Sequence, residues 1–205
     1  MPVTTESSTQ SENSIFVDPN DNLVALNSNN STPANGGSVY GADYLYTEDF
    51  AATWDGSING PNGSNSGDPA ACIGTDGRWY VGYISNGGQG VSYSDDQGDS
   101  WTKVQVAGAP GSGWSDLADK NHMWIDAKQG SPYENYLYNA WTDFGGPFDN
   151  EIALQRSMDR GETWDTKVNL SGAINTSGHC QGVNLSTGPN GEAYAVWSIY
   201  DNWPN

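Results

Sequence analysis

A short segment rich in turn-forming residues recurs along this chain, and its recurrence constrains the fold more than any other feature. Residues 157–164 read SMDRGETW and residues 94–101 read SDDQGDSW. In such a segment the Ser and Asp side chains can cap backbone N–H groups, Gly adopts a conformation that other residues resist, and Trp packs under the next strand. The pattern therefore predicts a tight turn between two antiparallel strands.

A third copy of the segment is degraded. Residues 47–54 read TEDFAATW, which keeps the hydroxyl, the Asp, the Thr and the Trp but has Ala51 where Gly stands in the other copies. We assign a structural role to the repeated positions of the two complete copies, which are Ser94, Asp96, Gly98, Trp101, Ser157, Asp159, Gly161 and Trp164.

Short apolar runs surround these segments, and the first hairpin turn of each group falls near residues 19, 75, 131 and 189, about 56 residues apart. A repeat of this length with four strands is a blade of a β-propeller. We predict an all-β chain with three complete blades and half of another. Residues 1–13 are predicted to be a flexible lead-in, and the blades to span 14–56, 66–107, 119–170 and, incompletely, 179–205.

The motif S-x-D-x-G-x-[ST]-W resembles the Asp box, or BNR repeat, of the sialidase-like β-propellers. The resemblance implies part of a six-bladed ring, with the remaining blades coming from a longer chain or a second copy unless the arc stays open. It also implies a glycan-directed protein, and a glycoside hydrolase if the chain is an enzyme. Because Asp boxes also occur in sorting receptors and assembly factors, the alternative is a non-catalytic module for adhesion, scaffolding or protein binding.

Charge excludes several classes of partner. The chain has 25 acidic residues against seven Lys and Arg, a formal charge of −18. Binding to nucleic acid or to an anionic membrane surface is therefore excluded, and no apolar run approaches the roughly 18 residues of a membrane span. The acidity suits an extracellular or saline setting, and the family implies secretion or the cell surface. A structural cation such as calcium is the alternative explanation of the acidity.

The two cysteines, Cys72 and Cys180, permit one disulfide. Aligning the hairpin turns places them at different heights in separate blades, which favours two free thiols over a bridge.

The start of each innermost strand is where a site is expected. In a blade whose strands are lettered A to D from the axis outward, the loops before strand A and after strand B surround the mouth of the channel. Matching positions in a radial array converge there, and loops at such a face carry function. We therefore predict catalytic roles for Asp119 and Asp68 and ligand-binding roles for His122, Lys120, His179 and Trp114, with Tyr40, Phe144 and Phe148 nearby.

Paired carboxylates among exposed aromatic rings are what glycoside hydrolysis uses, one as acid and the other as base or nucleophile. The alternative interpretation is that the two Asp residues cap turns and that the His residues fill polar space beneath the loops. A metal site built from the same Asp and His residues lacks a tight ligand spacing.

The resemblance also shows that the substrate-binding arginines of sialidases are missing from the expected face. Sialidases hold the substrate carboxylate with three arginines, whereas Arg78, Arg156 and Arg160 all map to the face away from the channel mouth. We therefore do not expect this chain alone to hydrolyse sialic acid.

Overall fold

The computed structural model of the protein describes residues 3–4, 9–32, 41–173 and 178–200. Tyr40 and part of the linker before the last predicted blade lie outside the described residues.

The described strands form four antiparallel sheets in chain order. The first contains β1 (Thr9–Val17), β2 (Ala25–Thr32), β3 (Gly41–Ala42), β4 (Tyr44–Thr47) and β5 (Asp55–Ser57). The second contains β6 (Ala70–Ile73), β7 (Trp79–Ser85), β8 (Gly88–Ser94) and β9 (Thr102–Ala107). The third contains β10 (Leu117–Ile125), β11 (Leu137–Phe144), β12 (Glu151–Ser157) and β13 (Val168–Asn169), and the last contains β14 (His179–Thr187) and β15 (Ala193–Tyr200).

This arrangement confirms the predicted all-β architecture of three complete blades and two strands of a fourth. The short strand β3 adds a fifth member to the first sheet, where it pairs with β2. The first strand begins at Thr9 rather than near Ser14, so its polar first half, which we predicted to be a flexible lead-in, is paired with β2. Backbone pairing holds this half, since little of it is buried.

Successive blades pack face to face through apolar side chains, with β1 against β6, β6 against β10 and β10 against β14. Between the second and third blades, Tyr80 and Cys72 pack with Met123 and Ile125. Similar clusters lie at the other two blade boundaries. The hydrophobic core is therefore divided into three layers, each shared by two neighbouring sheets.

Both cysteines are buried in these layers and both are free, as the alignment of the turns favoured. No helix in the described parts of the chain has the length and apolarity to cross a lipid bilayer.

Each Asp box forms the turn between the third and fourth strands of a blade. In the second blade, Ser94 Oγ accepts a hydrogen bond from Gly98 N at 2.8 Å and donates to Asp96 Oδ1 at 2.7 Å. Asp96 in turn accepts from Ser100 N at 2.8 Å and from Ser100 Oγ at 2.6 Å. The hydrogen bond from the Ser100 hydroxyl is the main reason that the pKa of Asp96 is lowered. The turn satisfies its own polar groups and needs no ligand.

The degraded box forms the same network. Thr47 Oγ1 accepts from Ala51 N at 3.0 Å, and Asp49 accepts from Thr53 N at 2.8 Å. Ala51 has a φ of 63°, in the left-handed region that Gly98 occupies in the second box with a φ of 95°. A side chain disfavours this region. The backbone of the first box is therefore strained at Ala51, where the other two boxes have Gly.

We predict that Ala51→Gly stabilises the protein. Relief of the left-handed strain of about 1–2 kcal/mol exceeds the added entropy of the unfolded chain, about 0.4–1 kcal/mol. The melting temperature should rise by about 2 °C, given roughly 2–4 °C per kcal/mol at this size.

Gly98→Ala is the matched control and should lower the melting temperature. Its added Cβ would lie 3.4 Å from the nearest heavy atom, on Tyr44, so its cost is conformational rather than steric. An unchanged or lower melting temperature for Ala51→Gly would contradict the strain argument.

Candidate functional site

Each blade has one left-handed residue near the start of its inner strand, and in the second blade this residue, Asp68, comes just before β6. These residues are Glu12, Asp68, Lys120 and Gly182, with φ values of 53°, 56°, 51° and 71°. In β1, β10 and β14 they coincide with a shift in strand register, which is the signature of a β-bulge. Bulges re-aim side chains, and three of the four positions accept a conformation that costs energy for a residue other than Gly. The four positions are therefore structural equivalents around the channel.

Three of these equivalent side chains meet in one cluster. Asp68 Oδ2 accepts a hydrogen bond from Lys120 N at 2.8 Å, and Lys120 Nζ forms an ion pair with Glu12. Asn30 of the first blade links the Glu12 carboxyl group to the backbone of Asp68, because its Nδ2 donates to Glu12 Oε2 at 2.5 Å and its Oδ1 accepts from Asp68 N at 2.8 Å. Consecutive blades thus contribute Glu12, Asp68 and Lys120 to a shared charged centre.

The cluster raises the pKa of Glu12. Burial raises the pKa of Glu12, a hydrogen bond with Asp68 raises it further, and the opposing effect of Lys120 does not cancel the rise. The Lys120 ammonium behaves differently: burial alone would lower its pKa, but Glu12 and the charges of Asp68 and Asp119 outweigh burial and raise it. A carboxyl group with a raised pKa beside a second carboxyl group is a pattern that acid–base catalysis uses.

The cluster borders a pocket of about 460 Å³, lined by residues 12–15, Asp68, Pro69, residues 120–122 and Asn184. This volume falls within the range of roughly 300–1,000 Å³ that is usual for small-molecule sites. Asp68, Lys120 and His122, which we predicted to share a site, all line this pocket.

Asn121 at the wall of the pocket is 9% exposed, and neither its Nδ2 nor its Oδ1 has a hydrogen-bond partner in the structure. Buried amides are normally paired. Both amide atoms are closed off from solvent, and Nδ2 lies near Gly82 of the second blade, so Asn121 lines the pocket without presenting its amide to it.

His122 accepts a hydrogen bond from Leu185 N at 3.1 Å through its Nδ1, and its ring stacks on Trp124 with centroids 6.1 Å apart. Burial lowers its pKa, so the imidazole is neutral at pH 7. His122 can exchange hydrogen bonds with a ligand but offers it no charge.

Asp119 and His179 lie on the side of the cluster that faces the last blade. Asp119 Oδ2 accepts from Gln181 Nε2 at 3.1 Å and is not part of the pocket wall. His179 is buried, with its Nδ1 2.5 Å from Asn150 Oδ1 and its ring 5.2 Å from that of Phe144. This placement of His179 agrees with the alternative interpretation that it fills polar space beneath the loops.

Trp114 is fully exposed on the linker between the second and third blades, away from the pocket wall. Among the described residues no group of three or more His, Cys, Asp or Glu side chains is placed to hold a metal ion.

Sequence reasoning missed Glu12 and Asn121. Aligning residues 14–16 with residues 122–124 would have placed Glu12 opposite Lys120, but the polar composition of the first 13 residues hid the strand. Nothing in the sequence marks Asn121, because its significance depends on the lack of a partner.

The arginines lie at the boxes, on the opposite side of the blades, as predicted. Arg78 is buried under the ring of Tyr93, makes two hydrogen bonds to Asp95 at 2.7 and 2.8 Å, and reaches Glu162 in the next blade. Arg160 pairs with Asp95 as well. These ion pairs join the outer turns of the second and third blades.

The remaining arginine, Arg156, pairs with Asp165 beside the third box. All three arginines are therefore engaged away from the pocket.

No protein-family profile matches the sequence, and no curated protein matches it either. Solved structures do match. The α-L-arabinanase of Penicillium chrysogenum is 14% identical with a TM-score of 0.64, and the match covers 93% of this chain and 57% of that one. The Arb93A α-L-arabinofuranosidase of Fusarium graminearum is 13% identical with a TM-score of 0.62, covering 99% and 60%. The Trypanosoma rangeli sialidase is 15% identical with a TM-score of 0.60, covering 87% and 28%.

These likenesses show the fold, a sialidase-like β-propeller of the type found in glycoside hydrolases, as the Asp boxes predicted. The chain spans less than two thirds of each of these neighbours.

The raised pKa of Glu12 predicts how Glu12→Gln changes stability with pH. A raised pKa in the folded state means that wild-type stability falls as the pH climbs above about 4.3, the usual value of a glutamate carboxyl. Gln cannot ionise, so the melting temperature of Glu12→Gln relative to wild type should rise between about pH 4 and pH 7.

Glu134→Gln is a control for which we expect the opposite change in stability with pH. Hydrogen bonds from Thr75 and from Gly130 N lower the pKa of Glu134, so its variant should lose stability relative to wild type as the pH rises toward about 5 from below, and the difference should then stay constant up to pH 7. Parallel trends for the two variants would contradict a raised pKa of Glu12.

Proposed function

We propose that the protein is an extracellular, carbohydrate-active propeller that binds a glycan in the pocket between Glu12, Asp68 and Asn121. The observation that carries the proposal is the cluster itself, in which the carboxyl groups of Glu12 and Asp68 and the ammonium group of Lys120, from three successive blades, border one cavity. The fold adds support, since neighbours with this architecture include a sialidase bound to sialic acid and an arabinanase bound to arabinobiose.

Glycoside hydrolysis is the reaction that this cluster would support. This reaction needs two carboxyl groups about 6.5–9.5 Å apart, whereas Glu12 and Asp68 are hydrogen-bonded to each other, so a bound sugar has to separate them first. Glu12, as the acid, then donates its proton to the leaving glycosidic oxygen while Asp68, as the base, accepts a proton from the attacking water. The bond from the sugar carbon to the leaving oxygen breaks as the bond to the water oxygen forms. Lys120 positions Glu12, whereas Asp119 lies outside the pocket wall and accepts a hydrogen bond from Gln181.

The predicted test compares Asp68→Asn with Asp119→Asn. Asn tolerates the left-handed backbone of Asp68 and keeps its acceptor oxygen, so both variants should fold. Hydrolysis of aryl glycosides and arabino-oligosaccharides should fall at least about a hundredfold in Asp68→Asn and change little in Asp119→Asn.

A large loss in Asp119→Asn with Asp68→Asn still active would return the catalytic role to Asp119. Glycan binding in calorimetry without turnover by the wild-type protein would instead identify a carbohydrate-binding module.

The non-catalytic alternative is a scaffold or protein-binding module. It is favoured by exposed apolar residues on the outer faces of the first and last blades. Ile15 on β1 is 56% exposed, whereas Ala71, at the equivalent position of the second blade, is 3% exposed and packs against the first blade. Tyr194 on β15 is 58% exposed, whereas Tyr80 at the matching position of β7 is fully buried against the next blade. We propose that further blade-type sheets cover both end faces, supplied by a second copy or by a longer chain.

If a second copy supplies these sheets, light scattering should show a dimer or a larger assembly. Val196→Asp, which places a charge on the exposed face of β15, should dissociate it without lowering the melting temperature of the monomer. A monomeric wild-type protein would contradict the proposal that a second copy covers the two end faces. Further blades of a longer chain would then be the proposed cover.

A further inference from the structure

The last sheet has a strand edge that no described strand covers. In every complete blade the second strand pairs on both sides: β2 with β1 and β4, β7 with β6 and β8, and β11 with β10 and β12. Among the described strands, β15 pairs with β14 alone. The backbone groups along the other edge of residues 193–199 are therefore open to a further strand.

The sequence of β15 does not discourage such pairing. Natural proteins usually make an exposed edge strand very short, or place charged residues or proline on it. β15 is eight residues long, and its sequence AYAVWSIY contains neither a charge nor a proline. Val196 and Ile199 of this strand are exposed apolar side chains. An edge with these properties binds an added β-strand through main-chain hydrogen bonds.

The complete blades show which structure follows a strand added at this edge. In the third blade, Gly161 of the Asp box lies against Tyr80 of the second blade, where an added Cβ would be 3.2 Å from the tyrosine ring. In the second blade, Gly98 of the box lies against Tyr44 of the first blade, and the ring of Trp101 is 5.0 Å from that of Tyr44. Each of these boxes therefore packs on an aromatic ring of the preceding blade.

The third blade presents equivalent side chains towards the position of the next box. By strand register, Tyr138 matches Tyr80, and Leu154 matches Tyr44. Both Tyr138 and Leu154 line a cavity of about 260 Å³. The other residues of its wall, which are Gln155, Arg156, Asp165, Thr166 and Val168, also belong to the third blade. The cavity and the open edge of β15 thus lie where the outer half of a fourth blade would pack.

We infer that the open edge of β15 and this cavity form one docking site for a β-hairpin whose two strands are joined by an Asp box. The first strand of the hairpin pairs with residues 193–199, and the glycine of its box packs on Tyr138 as Gly161 packs on Tyr80. The site continues the established packing between the third and fourth blades. It is separate from the pocket at Glu12 and does not depend on sugar binding.

The test adds to the full chain a synthetic peptide with the sequence of residues 88–107, which contains β8, the second box and β9. We expect calorimetry to show binding and hydrogen exchange to show new protection of the amides of residues 193–199. The same peptide with Gly98→Val should bind at least about tenfold more weakly, because valine resists the left-handed backbone of the box and collides with the tyrosine ring.

Two results would overturn the inference at this step. One is the absence of binding by the unmodified peptide. The other is protection of the same amides that grows with protein concentration before any peptide is added, which would assign the edge to a second copy of the chain.

Val168→Glu tests the cavity without disturbing the core, because Val168 lines the cavity and is 48% exposed. Affinity for the unmodified peptide should fall at least about tenfold while the melting temperature stays unchanged. Val17→Glu is the matched control, since Val17 is 51% exposed on β1 at the other end of the arc, and it should bind the peptide as wild type does. Equal affinities for the two variants would overturn the role of the cavity.

Discussion

Apolar packing between the faces of neighbouring sheets is the interaction on which the rest of this structure depends. Each layer, such as the one that places Tyr80 and Cys72 against Met123 and Ile125, fixes how far one blade is displaced from the next. Because the layers repeat, the inner strands lie side by side at matching heights, and the bulges of β1, β10 and β14 recur at equivalent positions. The pocket is thus a consequence of sheet packing and needs no specialised loop.

The two sides of the blades use charge differently. At the boxes, arginine and carboxylate neutralise each other across a blade boundary, and this holds the outer turns together. Near the starts of the inner strands, carboxyl groups outnumber cations, and a buried amide is left without a partner. Ion pairs of the first kind stabilise the fold, whereas an unbalanced polar cluster beside a cavity is what a binding site requires.

Local signals in the sequence predicted most of the fold, because the boxes close hydrogen bonds within one turn and the blades repeat at a constant length. They did not predict which side chains meet at the pocket. Asp119 and Lys120 are adjacent, and neighbouring residues of a strand point to opposite sides. The choice between them depends on the bulge, which the sequence does not show. Glu12 escaped prediction because only its pairing with β2, a long-range contact, makes its polar segment a strand.

The central claim is that the bulged starts of the inner strands, rather than the Asp boxes, form the binding surface. Amide chemical shifts recorded by NMR during a titration with a neutral oligosaccharide test it most directly. The account predicts that the largest changes occur at Glu12, Asp68, Lys120 and Asn121, with the amide of Gly98 in the second box unmoved. Changes centred on the boxes, with these four amides unmoved, would contradict it.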